Sequence, residues 1–114
     1  MADDAYIYVE HILTEIEVLN KIAEMADFKK FESDPILFRA SAYCIQCISE
    51  AVRNLPAKCI ADYPEIRWRE IRGIGNHTRH EYSHLKAFLF WGIIMNDLGS
   101  LQSVMLKLKD EFSR

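Results

Sequence analysis

Apolar residues recur at steps of three and four along almost the whole chain. This spacing places side chains on one face of an α-helix, whereas a half-buried strand requires strict alternation of apolar and polar residues. The sequence therefore predicts an all-α fold, an antiparallel bundle of four to five helices. The longest apolar stripe consists of Leu37, Ala40, Cys44, Cys47, Ile48, Ala51 and Leu55.

Capping signals predict the limits of the first two helices. An amphipathic stripe over residues 9–23 predicts the first helix. The segment FKKFESD then interrupts the helical pattern. Asp34 and Pro35 have the residue types preferred at an N-cap and in a first helical turn. Pro56 disfavours helical geometry at Leu55, so the second helix is expected to end there.

Three further helices are predicted in the second half of the chain. Pro64 is expected to open the third helix, which then runs to about Tyr82. A fourth, almost wholly apolar helix is expected over residues 85–96. Gly99 is expected to break this helix, and Ser100 is expected to cap a fifth helix.

Length and composition indicate a soluble protein. The 114 residues, half of them hydrophobic, are enough for one domain with its own core, over residues 1–114. The longest apolar run, residues 87–95, is about half the length that spans a bilayer, and no signal peptide is recognised. The chain has three cysteines, an odd number, so they do not form a framework of paired disulfides, and this suits a reducing compartment. We therefore expect a cytoplasmic location and no membrane association.

Charge is distributed unevenly along the chain. The formal net charge is −3, yet residues 1–34 carry nine acidic residues against three lysines, a net of −6. Residues 67–86 carry four arginines and one lysine against two glutamates, a net of +3. A local cationic face on an acidic protein suits one anionic ligand better than a long polyanion. The alternative is an ordinary solvated face.

Two glycines lie within the predicted third helix. Glycine costs roughly 1 kcal/mol relative to alanine inside a helix, so Gly73 and Gly75 together cost about 2 kcal/mol. Close approach of another helix or of a ligand backbone is the usual compensation for such a cost. We therefore expect both glycines to line an interface or a binding site.

Polar side chains share one face of the same predicted helix. Arg72, Asn76, Arg79 and His80 fall within an arc of roughly 100° on an ideal helix. A guanidinium can bind a phosphate through paired hydrogen bonds, and an imidazole can transfer a proton near neutral pH. Together they supply what metal-independent cleavage of a phosphodiester requires. A hydrated basic face with an ordinary histidine remains the alternative.

Residues 80–84, HEYSH, match the H-E-x-x-H zinc pattern. No further G-x-x-H follows, and the chain is short for a protease cleft, so we interpret the match as chance and predict no metal. Cys44 and Cys47 form a lone C-x-x-C on an apolar stripe, which is typical of buried cysteine. Residues 72–76 lack the third glycine and the strand of a dinucleotide fingerprint. No cofactor is predicted.

Several short motifs occur together in a fixed order. They are phenylalanines at 28 and 31, ISEA at 48–51, LP at 55–56, YPEIRW at 63–68, IRGI at 71–74 and NHTRHEY at 76–82. A tryptophan follows in the last strongly apolar helix. This ordered set resembles the HepT-like toxins, a branch of the HEPN domain superfamily, over nearly the whole chain.

The resemblance implies a helix bundle that forms a homodimer through its motif helices and builds a composite site at the interface. Members of the family are metal-independent ribonucleases that act as toxins, so RNA is the implied substrate. They are encoded beside a nucleotidyltransferase antitoxin. This partner neutralises them by binding and, in some systems, by attaching AMP to a tyrosine near the motif.

The family motif is Arg-x4–6-His, often continued as His-x-Tyr. His80 and Tyr82 fall on the histidine and tyrosine positions, which makes Tyr82 the candidate for AMP modification. Asn76 falls on the polar residue after the arginine, and Gly75 stands at the arginine position itself.

Two nearby arginines are available as replacements for the missing one. We favour Arg79, next to His80, with Arg72 and Asn76 assisting. His80 would then act as general acid/base for attack by an RNA 2′-hydroxyl, while Arg79 stabilises the charge on the phosphate. Alternatively, Gly75 marks a degenerate HEPN domain that binds nucleotide or RNA, or acts only as the partner of a nucleotidyltransferase.

Overall fold

The computed structural model describes residues 2–74 and 83–113, with side chains from residue 4 onward. Within these ranges the chain is helical with short connections, and it contains no strand, which confirms the predicted all-α bundle. The helices are α1 (Ala2–Met25), α2 (Phe28–Ser33), α3 (Pro35–Arg53), α4 (Ala57–Asp62), α5 (Trp68–Ile74), α6 (His84–Asn96) and α7 (Leu98–Phe112).

The long helices α1, α3 and α7 form the centre of the bundle. α1 packs along both α3 and α7, and α5 packs on α3. The side chains of Ile12, Ile16, Ile45, Leu101 and Met105 are almost completely buried where these helices meet. Each such side chain contributes about 1.5–3 kcal/mol through the hydrophobic effect. The core therefore fixes α3, and with it the surface on which α5 lies.

The predicted stripe of α3 faces this core. Leu37, Cys44, Ile48 and Ala51 are buried, and Leu55 is buried just beyond the helix. Burial raises the pKa of the Cys44 thiol to about 12, so this cysteine stays protonated at neutral pH. Cys44 of the C-x-x-C pair thus packs in the core as predicted, whereas Cys47 is only half-buried, so the prediction of burial was wrong for Cys47.

The start of α3 was predicted correctly. The carboxylate of Asp34 accepts hydrogen bonds from the backbone N–H groups of Ile36 at 2.9 Å and Leu37 at 3.3 Å, and Pro35 occupies the first turn. These bonds, the one from Leu37 above all, lower the pKa of Asp34. The segment FKKFESD does interrupt α1, but it forms the short helix α2, capped by Asp27.

Two predictions about residues 56–68 were wrong. Pro64 lies in a turn, and the following helix begins at Trp68. The Tyr63 carbonyl accepts hydrogen bonds from the Trp68 indole N–H at 2.8 Å and the Ile66 N–H at 3.2 Å, so the chain turns here before the helix starts. Between Pro56 and Pro64, where no helix was predicted, the chain forms the short helix α4, which buries Cys59.

The predicted break at Gly99 was also wrong, because Gly99 and Ser100 lie within the first turn of α7. The boundary between α6 and α7 lies at Asp97 instead, and the backbone there stays close to helical geometry. The Asp97 N–H donates to the Ile93 carbonyl at 2.9 Å, and its carbonyl accepts from the Leu101 N–H at 3.1 Å. The predicted end of the third helix near Tyr82 lies outside the described residues. Among the described helices, none is both long and apolar enough to cross a membrane.

Candidate active site beside helix α5

Most predicted site residues belong to residues 75–82, which we call the motif segment. Gly75, Asn76, Arg79, His80 and Tyr82 lie outside the described residues. The described part of the candidate site is therefore its two flanks. These are α5 with Arg72 and Gly73 on one side, and the start of α6 on the other.

The sequence of α5, WREIRGI, divides cleanly into two faces. Trp68, Ile71 and Ile74 are buried against the bundle, at steps of three residues. Arg69 and Arg72 are exposed on the other side of the helix. The helix thus has an apolar contact face that holds it on α3 and a basic face that is open to solvent, as the charge pattern predicts.

Two side chains of α3 bind the backbone carbonyl of Arg72. The hydroxyl of Ser49 donates to it at 2.8 Å, and the Nη2 group of Arg53 donates to it at 2.8 Å. A carbonyl oxygen has two lone pairs, so this pair of donors satisfies it. Ser49 is completely buried. The last described turn of α5, directly before the motif segment, is therefore anchored to the core helix.

Ser49 and Arg53 were not among the predicted site residues. Ser49 belongs to the ISEA motif, where a polar residue adjoins the apolar stripe of α3. A buried hydroxyl needs a hydrogen-bond partner, so this residue signalled a contact. Its partner, 23 residues away, could not be deduced from spacing.

The other flank of the motif segment is fixed by a cap and an ion-pair contact. The Ser83 hydroxyl accepts a hydrogen bond from the Lys86 N–H at 3.1 Å, so it caps α6. His84 Nδ1 lies 2.9 Å from the Glu32 carboxylate of α2, an ion pair when the imidazole is protonated. The chain therefore has defined positions on both sides of residues 75–82.

A groove of about 410 Å³ lies between α5 and α6. A Cβ added at Gly73 or at Gly92 would meet no other atom within 4 Å, so both positions leave open space. The expectation that Gly73 admits another backbone stays a prediction. The groove is lined by Arg67, Glu70, Gly73, Ile74, Phe88, Leu89, Gly92, Ile93, Asn96 and Asp97.

One end of this groove is polar. The Arg67 guanidinium lies 3.8 Å from the Asp97 carboxylate and 3.9 Å from that of Glu70. Burial raises the pKa of Asp97, while Arg67 acts in the opposite direction and Glu70 adds to the rise. Because burial dominates, Asp97 holds its proton more tightly than an exposed aspartate does.

The zinc pattern involves one described histidine. His84 contacts Glu32, whereas His80 lies outside the described residues. In residues 2–74 and 83–113, no group of three histidine, cysteine or acidic side chains is arranged to hold a metal ion. These described residues do not test the prediction that the motif segment binds no metal.

The sequence model of the family described as Ribonuclease HepT-like matches residues 12–108, a range that includes both flanks and the motif segment. The chain belongs to the HepT-like ribonuclease family. The resemblance to this branch of the HEPN superfamily is confirmed.

Three relatives illustrate the HepT-like relationship. "Putative RNase TTE0752" of Caldanaerobacter subterraneus is 34% identical over 95 residues, 83% of this chain and 85% of the relative. "Probable ribonuclease HepT" of Thermococcus cleftensis is 28% identical, over 90% of this chain and 93% of the relative.

The third relative is longer. "Gamma-glutamylcyclotransferase and putative RNase MJ0434" of Methanocaldococcus jannaschii is 27% identical over the whole of this chain, which spans 51% of that protein. No solved structure is significantly similar to the chain.

Proposed function

We propose that this protein is the toxin of a toxin–antitoxin pair, a metal-independent endoribonuclease that cleaves RNA at a composite site between two copies of the chain. One observation carries this proposal. The HepT-like family model matches residues 12–108, a range that includes the motif segment. The resemblance to the family assigns His80 to the histidine of its motif.

In the proposed reaction, His80 removes the proton from an RNA 2′-hydroxyl. The 2′-oxygen then bonds to the adjacent phosphorus, and the bond from phosphorus to the 5′-oxygen breaks. The leaving oxygen takes a proton from an imidazolium, which a second copy's histidine would supply. Arg79, with Arg72 and Asn76, would stabilise the negative charge that develops on the phosphate oxygens.

The described flank of α5 supports a role for Arg72. Its guanidinium is exposed on the basic face, and its backbone carbonyl is held by Ser49 and Arg53. The anchor orders the backbone without using the guanidinium, so the side chain stays available for an anion. Because a group that is fixed in advance loses less entropy on binding, such an anchor favours phosphate recognition.

A second function is favoured by Gly75. With glycine at the family's arginine position, the protein would be a degenerate HEPN module that binds nucleotide or RNA without turnover, or serves only as the partner of a nucleotidyltransferase. The exposed basic face of α5 suits this binding function equally well. The two functions differ in whether RNA is cleaved.

The proposal includes a nucleotidyltransferase antitoxin that neutralises the protein in the cytoplasm, with Tyr82 as the site of AMP attachment. Induced expression of the chain alone should arrest growth, and co-expression of a nucleotidyltransferase encoded beside it should restore growth. Mass spectrometry of the co-expressed protein should find AMP on Tyr82, and Tyr82→Phe is the matched control. Normal growth without the partner would favour the binding module over the enzyme.

A further inference from the structure

A positive charge from α3 lies beside the basic face of α5. Arg53 is the last residue of α3, and its Nη2 group donates to the Arg72 carbonyl at 2.8 Å. Both arginines are exposed. We call Arg53 and Arg72 the arginine pair. Two helices thus each bring a guanidinium group to the junction of α3 and α5, close to where the chain enters the motif segment.

Support of the Arg72 carbonyl does not by itself require an arginine at position 53. The Ser49 hydroxyl donates to the same oxygen at 2.8 Å and is completely buried, where exclusion of water strengthens a hydrogen bond. The bond from Arg53 uses one of the five N–H donors of its guanidinium. Because a carbonyl oxygen has no net charge, this bond does not neutralise Arg53. The anchor alone therefore does not explain the charge at position 53.

The position of Arg53 at the end of α3 offers a partial explanation. A cation in the last turn of a helix interacts favourably with the negative end of the helix dipole. A lysine would serve this purpose as well, and its side chain could extend into solvent. Here the side chain instead contacts α5 and adds its charge to that of Arg72. Like charges at one junction repel each other, and a bound anion relieves this repulsion.

A phosphate group suits the arginine pair. A guanidinium group is a planar fork that can donate two parallel hydrogen bonds to phosphate oxygens. The bond to the carbonyl restricts the Arg53 side chain before a ligand arrives, so binding costs less side-chain entropy. Residues 67–86, which include Arg72, carry a net charge of +3 and add attraction for an anion.

We propose that Arg53 and Arg72 together bind one phosphate of the RNA backbone, with Arg53 as a phosphate-binding residue supplied by α3. Arg72 precedes Gly75 by three residues, roughly 4.5 Å on an ideal helix. Arg53 would thus supply, from another helix, part of the positive charge that glycine at position 75 does not. This role in cleavage rests on the proposed function, whereas the phosphate contact can be measured without cleavage.

Arg53→Ala and Arg39→Ala form a matched pair for testing the phosphate contact. Both are exposed arginines of α3, and Arg39 lies about 21 Å away along the helix. The probe is a short single-stranded RNA with methylated 2′-hydroxyls, which can bind but cannot be cleaved. Fluorescence anisotropy should show binding about 10-fold weaker for Arg53→Ala. The slope of log Kd against log salt should fall by about 0.7. Arg39→Ala should match the wild type in both quantities.

Two further variants separate phosphate binding from support of the α5 backbone. Arg53→Lys keeps the charge and a donor but loses the fork, so the salt slope should return to the wild-type value while affinity recovers only in part. Ser49→Ala weakens the anchor without changing charge, so its salt slope should equal that of the wild type. A reduced slope in Arg53→Lys, or the same reduction in Ser49→Ala, would show that Arg53 acts only through the backbone.

Gly75→Arg tests whether Arg53 compensates for the glycine. Two guanidinium groups that act on the same phosphate are partly redundant, so their effects on kcat/KM should not be additive. The gain from Gly75→Arg should be about 10-fold larger in the Arg53→Ala background than in the wild type. Equal gains in the two backgrounds would contradict compensation by Arg53.

RNA binding and RNA cleavage are measured separately, so their failures can be distinguished. A wild type that binds the methylated RNA but cleaves no RNA contradicts the proposed function, and the salt slopes still decide the phosphate contact. Equal affinities and slopes for Arg53→Ala and Arg39→Ala would overturn that contact, as would a wild type that does not bind the probe. Melting temperatures check that the variants are folded. Arg53→Gln, which also removes the charge, replaces Arg53→Ala if the alanine variant is unfolded.

Discussion

The buried hydroxyl of Ser49 donates a hydrogen bond to the backbone carbonyl of Arg72 at 2.8 Å. This bond joins the core helix α3 to the last described turn of α5, 23 residues along the chain. Arg53 reinforces it from the next turn of α3. The core of the bundle thereby determines where the chain enters the motif segment, and the packing of α3 is linked to the candidate active site.

Ser49→Ala should weaken both folding and cleavage. The change removes a buried hydrogen bond, so the free energy of unfolding should fall by about 1–2 kcal/mol in urea denaturation. Ser41→Ala is the matched control, because the Ser41 hydroxyl is equally buried and donates to the Phe38 carbonyl within α3. Only Ser49→Ala should lower kcat for RNA cleavage at equal folded fraction. Equal activities in the two variants would show that the anchor is structural only.

Arg72→Ala should reduce cleavage without loss of stability, because the anchor uses the backbone carbonyl and not the guanidinium. We expect kcat/KM to fall by about 10-fold or more through lost charge stabilisation on the phosphate. Arg69→Ala removes another exposed positive charge, three residues earlier on α5. If both variants lose the same activity, α5 contributes only a general attraction for RNA.

Asp97→Asn should stabilise the protein at neutral pH. The pKa of Asp97 is raised above its usual 3.8, chiefly by burial, so ionisation of this carboxyl opposes folding. This free-energy penalty is absent at pH values below the pKa of Asp97 in the unfolded chain. It is complete at pH values above the pKa of Asp97 in the folded protein. The melting temperature of Asp97→Asn should therefore exceed that of the wild type at pH 7, and the difference should close near pH 3. Asp62→Asn, at the surface of α4, is the control and should not raise the melting temperature. A higher melting temperature for Asp62→Asn, or an unchanged one for Asp97→Asn, would contradict this account.

Sequence patterns predicted the features that depend on neighbouring residues. The stripe of α3 and its cap at Asp34 need only contacts within four residues, and both were predicted correctly. Local propensity was enough in these places because no distant group competes for the same backbone atoms.

Other features depend on distant contacts and could not be predicted. The Trp68 indole binds the Tyr63 carbonyl, which moves the start of α5 from Pro64 to Trp68. The contact between His84 and Glu32 joins residues that lie 52 positions apart in the sequence. For the candidate site, the sequence indicated the basic face of α5, but not the anchor from Ser49. Its predictions for Gly75, Asn76, Arg79, His80 and Tyr82 remain predictions.

Gly75→Arg tests whether the missing arginine limits the enzyme. A guanidinium at the family's position should raise the rate of RNA cleavage by about 10-fold, because it adds a charged donor for the phosphate. Gly75→Ala is the control, since it changes helix propensity without adding charge. Activity that appears only in Gly75→Arg would favour the degenerate module as the natural state. An unchanged rate would contradict the assignment of position 75 to the phosphate site.

The central claim is that His80 is the acid/base group of a metal-independent ribonuclease. The most direct measurement compares RNA cleavage by the wild type, His80→Ala and His77→Ala in excess EDTA, with melting temperatures confirming equal folding. We predict that the wild type and His77→Ala cleave RNA in EDTA, while His80→Ala loses at least about 100-fold in rate. Undiminished cleavage by His80→Ala, or cleavage that EDTA abolishes in the wild type, would contradict the claim.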